Sequence, residues 1–274
     1  CTPFSREASD RLEALGVEVV KLHCTPTGAF PHDPEPLPEH LTDLRDAVVQ
    51  HRAHLGIAVD PDVDRLALVC EDGSFFGEEY TLVACADHVL AARPGDTVSN
   101  LSSTRALDDV AARHGRRRHA SAVGEVNVVE QMRKAKAPIG GEGNGGVILA
   151  ELHHGRDALV GIALFLTLLA KRGIGASALR RSYPDYFISK NKIELQAGMD
   201  VQAIVDAMEE RHRARPHSTV DGLRSELGRE WVHLRRSNTE PIVRIYAESE
   251  SPAAANALAH RIMAEMKEVA AAVR

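Results

Sequence analysis

The chain has 274 residues, of which 44% are hydrophobic and 26% are charged, a composition typical of folded globular proteins rather than of long disordered segments. This length is more than one compact core usually holds, so two or three domains are expected. The formal net charge of -6 supplies no positive field for a polyanion, which argues against nucleic acid as a partner and requires a local cluster of donors for any anionic ligand.

Cysteine use and hydropathy predict a cytoplasmic protein without membrane segments. The four cysteines contain no CxxC pair, and Cys70 and Cys85 lie in apolar runs, as is typical of reduced, buried thiols. The longest apolar stretch, residues 158–170, is too short to cross a bilayer. The chain begins without a signal-peptide pattern.

The first two thirds of the chain predict two α/β domains. The elements predicted in residues 1–76 are a helix at 5–16, a strand at 17–20, a proline-rich connection at 25–38, a helix at 39–51 and strands at 55–59 and 66–69. Those predicted in residues 77–186 are a strand at 97–101 and helices at 80–92, 104–114, 126–136, 158–171 and 177–182. Helices that alternate with short apolar strands indicate parallel sheets, whose ligands gather at the carboxyl ends of strands.

After Tyr183 and Pro184 the order of elements changes. The predicted elements are a strand at 187–195, a helix at 201–212, strands at 231–234 and 242–247, and a helix at 253–273. This order is typical of a small α+β domain. The predicted fold class is therefore α/β, with two α/β/α parallel-type domains, residues 1–76 and 77–186, followed by a small α+β C-terminal domain, residues 187–274.

The strongest chemical signal is the run Asp-Pro-Asp-Val-Asp-Arg at residues 60–65. Asp60, Asp62 and Asp64 alternate just after a predicted buried strand, and such carboxylates repel one another unless a cation lies among them. Their hard oxygen ligands suit Mg²⁺. A solvated acidic turn fits less well, because apolar strands flank the run on both sides.

Two other functions share part of this pattern. A calcium-binding EF-hand would use the same aspartates with Glu71 at the twelfth position, but Arg65 occupies the obligatory glycine position and strands replace the flanking helices. A haloacid-dehalogenase-type phosphatase also begins with an apolar strand and Asp-x-Asp, with Asp60 as nucleophile and Asp62 as acid/base. The six residues alone leave the phosphatase open.

Two later segments add ligand-binding chemistry. The glycine-dense run at 140–146 contains Glu142 and Asn144, which suit hydrogen bonding to vicinal sugar hydroxyls. The run at 235–241, followed by Arg244, concentrates guanidinium, hydroxyl and amide donors between two predicted strands, as a phosphate-binding loop does. Alone, each run could be a polar turn.

Together, and in this order, these three runs resemble the α-D-phosphohexomutase superfamily, which includes phosphomannomutase/phosphoglucomutase and phosphoglucosamine mutase. That family carries a DGDxDR metal loop in its second domain, a GExSGH-like sugar loop in its third and an RxSNTEP or RxSGTEP phosphate loop in its fourth. The corresponding segments are residues 60–65, 141–146 and 235–241, which we call the metal loop, the sugar loop and the phosphate loop. A phosphatase would require neither of the last two.

The resemblance implies a role for each matching residue. The implied Mg²⁺ ligands are Asp60, Asp62 and Asp64, with Arg65 beside the reacting phosphoryl group. Glu142 and Asn144 would bind sugar hydroxyls. The implied ligands of the non-reacting phosphate are Arg235, Ser237, Asn238 and Thr239, supported by Arg244.

Some family features differ here. The usual histidine of the sugar loop is Gly146, and the lysine expected before Val123 is Ala122. His153, His154 and Arg156 follow the loop and could supply the missing donors, although surface histidines are the simpler interpretation.

The family's phosphoserine loop, TxSHNP-like, does not occur in this sequence. We therefore expect that the chain lacks the first domain and is inactive alone. In the whole protein, the resemblance implies a Mg²⁺-dependent interconversion of hexose 6-phosphate and hexose 1-phosphate through a hexose bisphosphate. Glucosamine phosphate is slightly favoured as the substrate over mannose or glucose phosphate. The alternatives are an inactive sugar-phosphate-binding relative and a sugar phosphatase.

Overall fold

The structure is a computed structural model that describes residues 3–25, 27–194, 200–237 and 242–272, with side chains from residue 8 onward. The chain divides into two compact units: residues 1–120 with 124–183, and residues 121–123 with 184–274. Within the described ranges, no helix has the length and apolar character needed to cross a bilayer. The three-domain division at residues 76 and 186 stays a prediction.

The first unit begins with two helices and a β-hairpin. These elements are α1 (Pro3–Ala14), α2 (Thr42–His51), β1 (Leu55–Val59) and β2 (Leu66–Cys70). The two strands pair antiparallel, with Val59 opposite Leu66. The metal loop is therefore the connection of a hairpin, and Asp60 follows the carboxyl end of β1 as predicted.

The strand predicted at residues 17–20 is wrong. The structure assigns no strand there, and Val17 and Val20 are 40% and 53% exposed. An apolar run forms a stable strand only when a neighbouring strand pairs with it and one face is buried. Within the described part of the chain, β1 pairs with β2 and not with this segment.

The rest of the first unit is built around a four-stranded sheet. Its elements are α3 (Glu78–Ala92), β3 (Thr97–Asn100), α4 (Ala106–Arg113), β4 (Arg118–Ser121), α5 (Glu125–Ala135), β5 (Ile139–Glu142), β6 (Gly146–Leu149), α6 (Ala158–Arg172) and α7 (Ala176–Arg181). The strand order is β4-β3-β5-β6, in which β3 and β5 run parallel while β5 and β6 form an antiparallel hairpin. The predicted α/β construction with a parallel pairing is confirmed, and the sugar loop is the turn of the β5–β6 hairpin.

The second unit is the predicted α+β domain. Its elements are β7 (Phe187–Glu194), α8 (Val201–His212), β8 (His217–Ser218), β9 (Leu223–Leu227), β10 (Glu230–Arg236), β11 (Ile242–Ser249) and α9 (Pro252–Ala272). The sheet is antiparallel in the order β7-β11-β10-β9-β8. Both helices contribute to one apolar core with the sheet, which includes Ile204, Met208, Val232, Leu234, Val243, Ile245, Leu258 and Ile262.

Backbone contacts join the metal loop to the sugar loop. The Leu66 N–H donates to the Gly145 carbonyl at 3.1 Å, and Arg65 and Gly146 form an isolated β-bridge. Gly145 has a φ of +89°, and a Cβ there would lie 2.4 Å from the Leu66 carbonyl oxygen. Only glycine fits this conformation and this approach at once.

Gly145→Ala is expected to lower the free energy of unfolding by at least ~3 kcal/mol, because a positive φ and a backbone overlap act together. Gly173, in the first unit, is the matched control, since its φ is +62° and nothing lies within 4 Å of an added Cβ. Gly173→Ala should therefore cost only about 1 kcal/mol. Urea unfolding followed by far-UV circular dichroism measures both, and equal losses would contradict the close approach.

Candidate functional site

The metal loop is folded around the Asp60 carboxylate. Asp60 is 1% exposed, and its Oδ1 accepts the backbone N–H groups of Asp64 and Arg65 at 3.0 Å each. The Nε of Arg65 donates to Asp60 Oδ2 at 2.6 Å, and its Nη1 lies 3.2 Å from Glu35 Oε1. The carboxylate of Asp60, the first residue of the loop, therefore fixes the position of the Arg65 side chain.

The three aspartates of the metal loop converge. One carboxylate oxygen from each of Asp60, Asp62 and Asp64 lies within 4.8 Å of the others. Burial works against the charge on Asp60, but contacts with Asp64 and Arg65 hold the pKa of that carboxyl below its usual value. Burial, and then the neighbouring Asp60, raise the pKa of Asp64 to about 6. The three carboxylates repel one another at these distances, and a divalent cation such as Mg²⁺ between them would relieve that repulsion.

Glu142 and Asn144 lie on the sugar-loop hairpin. Glu142 is the last residue of β5 and is 5% exposed. Its Oε1 accepts hydrogen bonds from Asn100 Nδ2 at 2.7 Å and from the Gly124 N–H at 3.0 Å. Asn144, in the turn, is partly exposed, and its Oδ1 accepts the Gly146 N–H at 3.2 Å. The Glu142 carboxylate is thus fixed by residues from two other segments.

Arg156 joins the two loops, and the sequence did not single it out among the three nearby donors. Its Nη1 donates to Glu142 Oε2 at 2.7 Å, and its Nη2 contacts the Asp64 carboxylate. The two histidines beside it, His153 and His154, are exposed, in line with the simpler interpretation. The Gly-Arg-Asp run at 155–157 gave no periodic or spacing signal for this position.

The second unit places a row of cations across its sheet. Arg235 on β10 lies opposite Arg244 on β11, which in turn lies opposite Lys192 on β7. Their strand neighbours Leu234 and Val243 belong to the core, so the three cations lie on the face away from the core. We call these three residues the cation row.

Like charges directly opposite each other in a sheet are destabilising. The described side chains provide one carboxylate close to Arg235, that of Asp221, with Oδ2 at 3.9 Å from Nη1. The cation row therefore suits an anion with several oxygens, such as phosphate. Lys192 was missed by the sequence analysis because only the strand register brings it to this row.

The phosphate loop itself is described only in part. The Ser237 N–H donates to the Ile242 carbonyl at 3.0 Å. This bond brings the ends of the loop together where β10 ends and β11 begins. Asn238 and Thr239 lie outside the described residues.

His233 lies two residues before Arg235 on β10, so both side chains are on the same face of the sheet. It is 2% exposed, and its Nε2 donates to the Asp221 carbonyl at 2.6 Å. Burial lowers the pKa of His233 to about 4. This histidine is therefore neutral at pH 7 and adds no charge to the cation row.

Family comparisons cover almost the whole chain. Residues 2–73 match the model for phosphoglucomutase/phosphomannomutase alpha/beta/alpha domain II, residues 77–186 the model for domain III, and residues 191–265 the model for the C-terminal domain.

Individual relatives give the same result. A probable phosphoglucosamine mutase from Methanopyrus kandleri is 34% identical over 88% of this chain and 54% of its own length. A phosphoglucomutase/phosphomannomutase from Thermococcus kodakarensis is also 34% identical, over 88% of this chain and 53% of its own length. The crystal structure of a phosphoglucomutase/phosphomannomutase family protein from Burkholderia thailandensis superimposes with a TM-score of 0.85 at 29% identity, covering 99% of this chain and 58% of that one. The chain spans about half the length of the curated relatives it matches.

The stability of the second unit is expected to fall as the pH drops from 7 to 5. A folded-state pKa of His233 near 4 lies below the unfolded value of about 6.5, so the unfolded state binds more protons in that window. His233 alone should account for a loss of about 2 kcal/mol. Trp231, the single tryptophan, is buried in the same sheet, so its fluorescence in urea titrations reports this unit.

His233→Gln is the control for this pH dependence. It keeps a donor for the Asp221 carbonyl but cannot titrate, so the slope of stability against pH should become shallower. The slope that remains includes His212, whose pKa is also lowered by burial. An unchanged slope in the variant would show that His233 is not the titrating group.

Proposed function

Because the chain belongs to the phosphoglucomutase/phosphomannomutase family of the α-D-phosphohexomutase superfamily, we propose that it is the substrate-binding part of a Mg²⁺-dependent phosphohexomutase. One observation supports this most directly. The acidic cluster and the buried Glu142 carboxylate lie on loops whose backbones bond to each other between Leu66 and Gly145. A phosphatase would need the acidic cluster but not the sugar loop attached to it.

In the proposed reaction, Asp60, Asp62 and Asp64 would hold Mg²⁺, which would supply positive charge to neutralise the phosphoryl group. Arg65 adds a second positive charge there, and its ion pair with buried Asp60 keeps the guanidinium oriented. Phosphoryl transfer needs positioning and charge neutralisation more than covalent help from side chains. The residues of the metal loop provide both.

The sugar and its other phosphate are proposed to bind elsewhere on the chain. The Glu142 carboxylate accepts hydrogen bonds from sugar hydroxyls, and the Asn144 amide group donates to them. The non-reacting phosphate is held by Arg235, Ser237, Asn238 and Thr239, with Arg244 and the newly identified Lys192 in the same cation row. The phosphate loop and the cation row would recognise a phosphate mainly by its charge. They can therefore accept the phosphate at either end of a hexose bisphosphate.

The whole protein is proposed to transfer phosphoryl groups through a serine on a further domain. The phosphoserine transfers its phosphoryl group to a free hydroxyl of a hexose monophosphate, which gives a hexose bisphosphate. The bisphosphate then reverses its orientation and returns its other phosphoryl group to the serine. The sugar proposed is glucosamine phosphate, ahead of mannose and glucose phosphate. The M. kandleri relative is named a probable phosphoglucosamine mutase, whereas the equally similar T. kodakarensis relative is named a phosphoglucomutase/phosphomannomutase.

An assay with the separate sugars tests this function. A protein that joins this chain to a phosphoserine domain should convert glucosamine 6-phosphate to the 1-phosphate with a bisphosphate activator and Mg²⁺ present. A chelator should stop turnover and added Mg²⁺ should restore it, whereas Asp62→Asn should stay inactive because it removes the negative charge of one of the three proposed carboxylate ligands. Net release of inorganic phosphate instead of isomerisation would establish a phosphatase, and the 274-residue chain alone should do neither.

Two binding variants separate the phosphate loop from the sugar loop. Arg235→Ala removes a charge-assisted hydrogen bond worth ~1.5–3 kcal/mol, so the affinity for inorganic phosphate and for glucosamine 6-phosphate should fall by roughly ten- to a hundredfold. Arg229 is the matched control, because it precedes β10 at the opposite end from Arg235 and its Nε lies 3.0 Å from Glu250 Oε1. Arg229→Ala should leave both affinities unchanged.

Glu142→Ala should weaken the binding of glucosamine 6-phosphate while inorganic phosphate binds nearly as before. Its carboxylate is proposed to face hydroxyls rather than the anion. Isothermal calorimetry with each ligand measures the difference. If Arg235→Ala and Glu142→Ala reduced both affinities in the same proportion, the division of labour between the loops would be wrong.

A further inference from the structure

The absence of a side chain at Gly146 leaves room for the side chain of Arg156. A Cβ built on Gly146 would lie 2.4 Å from Cδ and 3.2 Å from Cγ of Arg156. Gly146 does not have a positive φ, so backbone conformation does not require glycine here. The space that a side chain at this position would fill is taken by the alkyl chain of Arg156.

Moving Arg156 aside would break its contacts with three carboxylates, of which Glu142 is fixed by Asn100 and Gly124. Glu142 lies 2.7 Å from Nη1, Glu125 lies 3.3 Å from Nε, and Asp64 contacts Nη2. The side chain is only 17% exposed. Arginine carries its charge throughout the accessible pH range and has a rigid, planar donor set, so it holds these groups in one arrangement.

The hydrogen bonds of Glu142 show what this arrangement leaves for a ligand. An ionised carboxylate has about four acceptor positions, two on each oxygen. Oε1 accepts from Asn100 and Gly124, and Oε2 accepts from Arg156. About one acceptor position remains, on the oxygen that Arg156 holds. The direction of that position depends on the guanidinium.

We propose that Arg156, whose alkyl chain fills the space beside Gly146, is a positioning residue that fixes the Glu142 carboxylate to accept one sugar hydroxyl. The proposal rests on the proposed function for its ligand, a hexose phosphate. The usual histidine of the resembled sugar loop would not fit beside Arg156. Gly146 and Arg156 therefore form a matched pair, in which the small residue allows the large one to reach the site.

A thermal double-mutant cycle tests the steric part without any ligand. Gly146→Ala should lower the melting temperature by roughly 4 °C, because the new Cβ displaces an anchored side chain. In an Arg156→Ala background the same change should cost less than about 1 °C, since both Arg156 atoms are gone and only Asn144 Oδ1, 3.1 Å from the added Cβ, remains close. Equal shifts in the two backgrounds would overturn the matched pair.

A binding cycle tests the positioning part. Arg156→Met keeps the alkyl chain but loses the guanidinium, and should weaken glucosamine 6-phosphate binding by roughly tenfold while inorganic phosphate binding is unchanged. In a Glu142→Gln background, Arg156→Met should add little further loss, because it acts through that carboxylate. A residue that acted on the ligand independently of Glu142 would give additive losses.

The matched control is Arg118→Met. Arg118 also belongs to the first unit, its side chain is 8% exposed, and its Nε lies 2.9 Å from Asp108, but it does not contact either loop. Its loss should lower stability without changing the affinity for glucosamine 6-phosphate. Additive losses in the binding cycle, or weaker binding of inorganic phosphate by Arg156→Met, would overturn the positioning role. If the wild-type protein binds no sugar phosphate, the proposed function and this role fail together, while the thermal cycle still decides the Gly146–Arg156 contact.

Discussion

The close approach of the Gly145 backbone to Leu66 is the contact on which the first unit's site depends. Because the Leu66 N–H bonds to the Gly145 carbonyl, the hairpin that carries the acidic cluster and the hairpin that carries Glu142 are fixed edge to edge. Side chains could not produce this spacing, since any Cβ at residue 145 would meet the Leu66 carbonyl. The precision of the site therefore comes from the main chain, and the polar side chains are placed by it.

Both units concentrate one sign of charge, and both do so at an energetic cost. Three aspartates converge in the first unit, and three cations stand in register in the second. A chain with a net charge of -6 gains little from its overall field, so each cluster must be compensated locally. Arg65 and Arg156 compensate the acidic cluster in part. In the cation row, Asp221 lies 3.9 Å from Arg235 and Glu194 lies 3.9 Å from Lys192. The charge that remains in each cluster suits a cation in the first unit and a phosphate in the second.

The convergence of Asp60, Asp62 and Asp64 could be expected from the sequence because six consecutive residues contain these carboxylates, while their role as Mg²⁺ ligands stays a prediction. Glu142 was also predictable, since glycines on both sides mark a close backbone approach. Arg156 and Lys192 were not assigned, because a long-range contact brings the first to Glu142 and strand register brings the second to Arg244. The strand predicted at residues 17–20 failed for a related reason, as an apolar run specifies a strand only together with the neighbour that pairs with it. Asn238 and Thr239 lie outside the described residues, so their roles rest on the resemblance.

The position of Lys192 has a consequence for how the protein behaves in concentrated solution. Strand β7 is an outer strand of its sheet, and it carries the exposed residues Lys190 and Lys192. Lysines on an outer strand discourage pairing with a strand from another molecule, because two such strands would bring their ammonium groups together. The same charge that would attract a phosphate thus also protects the sheet from self-association, and a ligand that neutralises it would weaken that protection while it is bound.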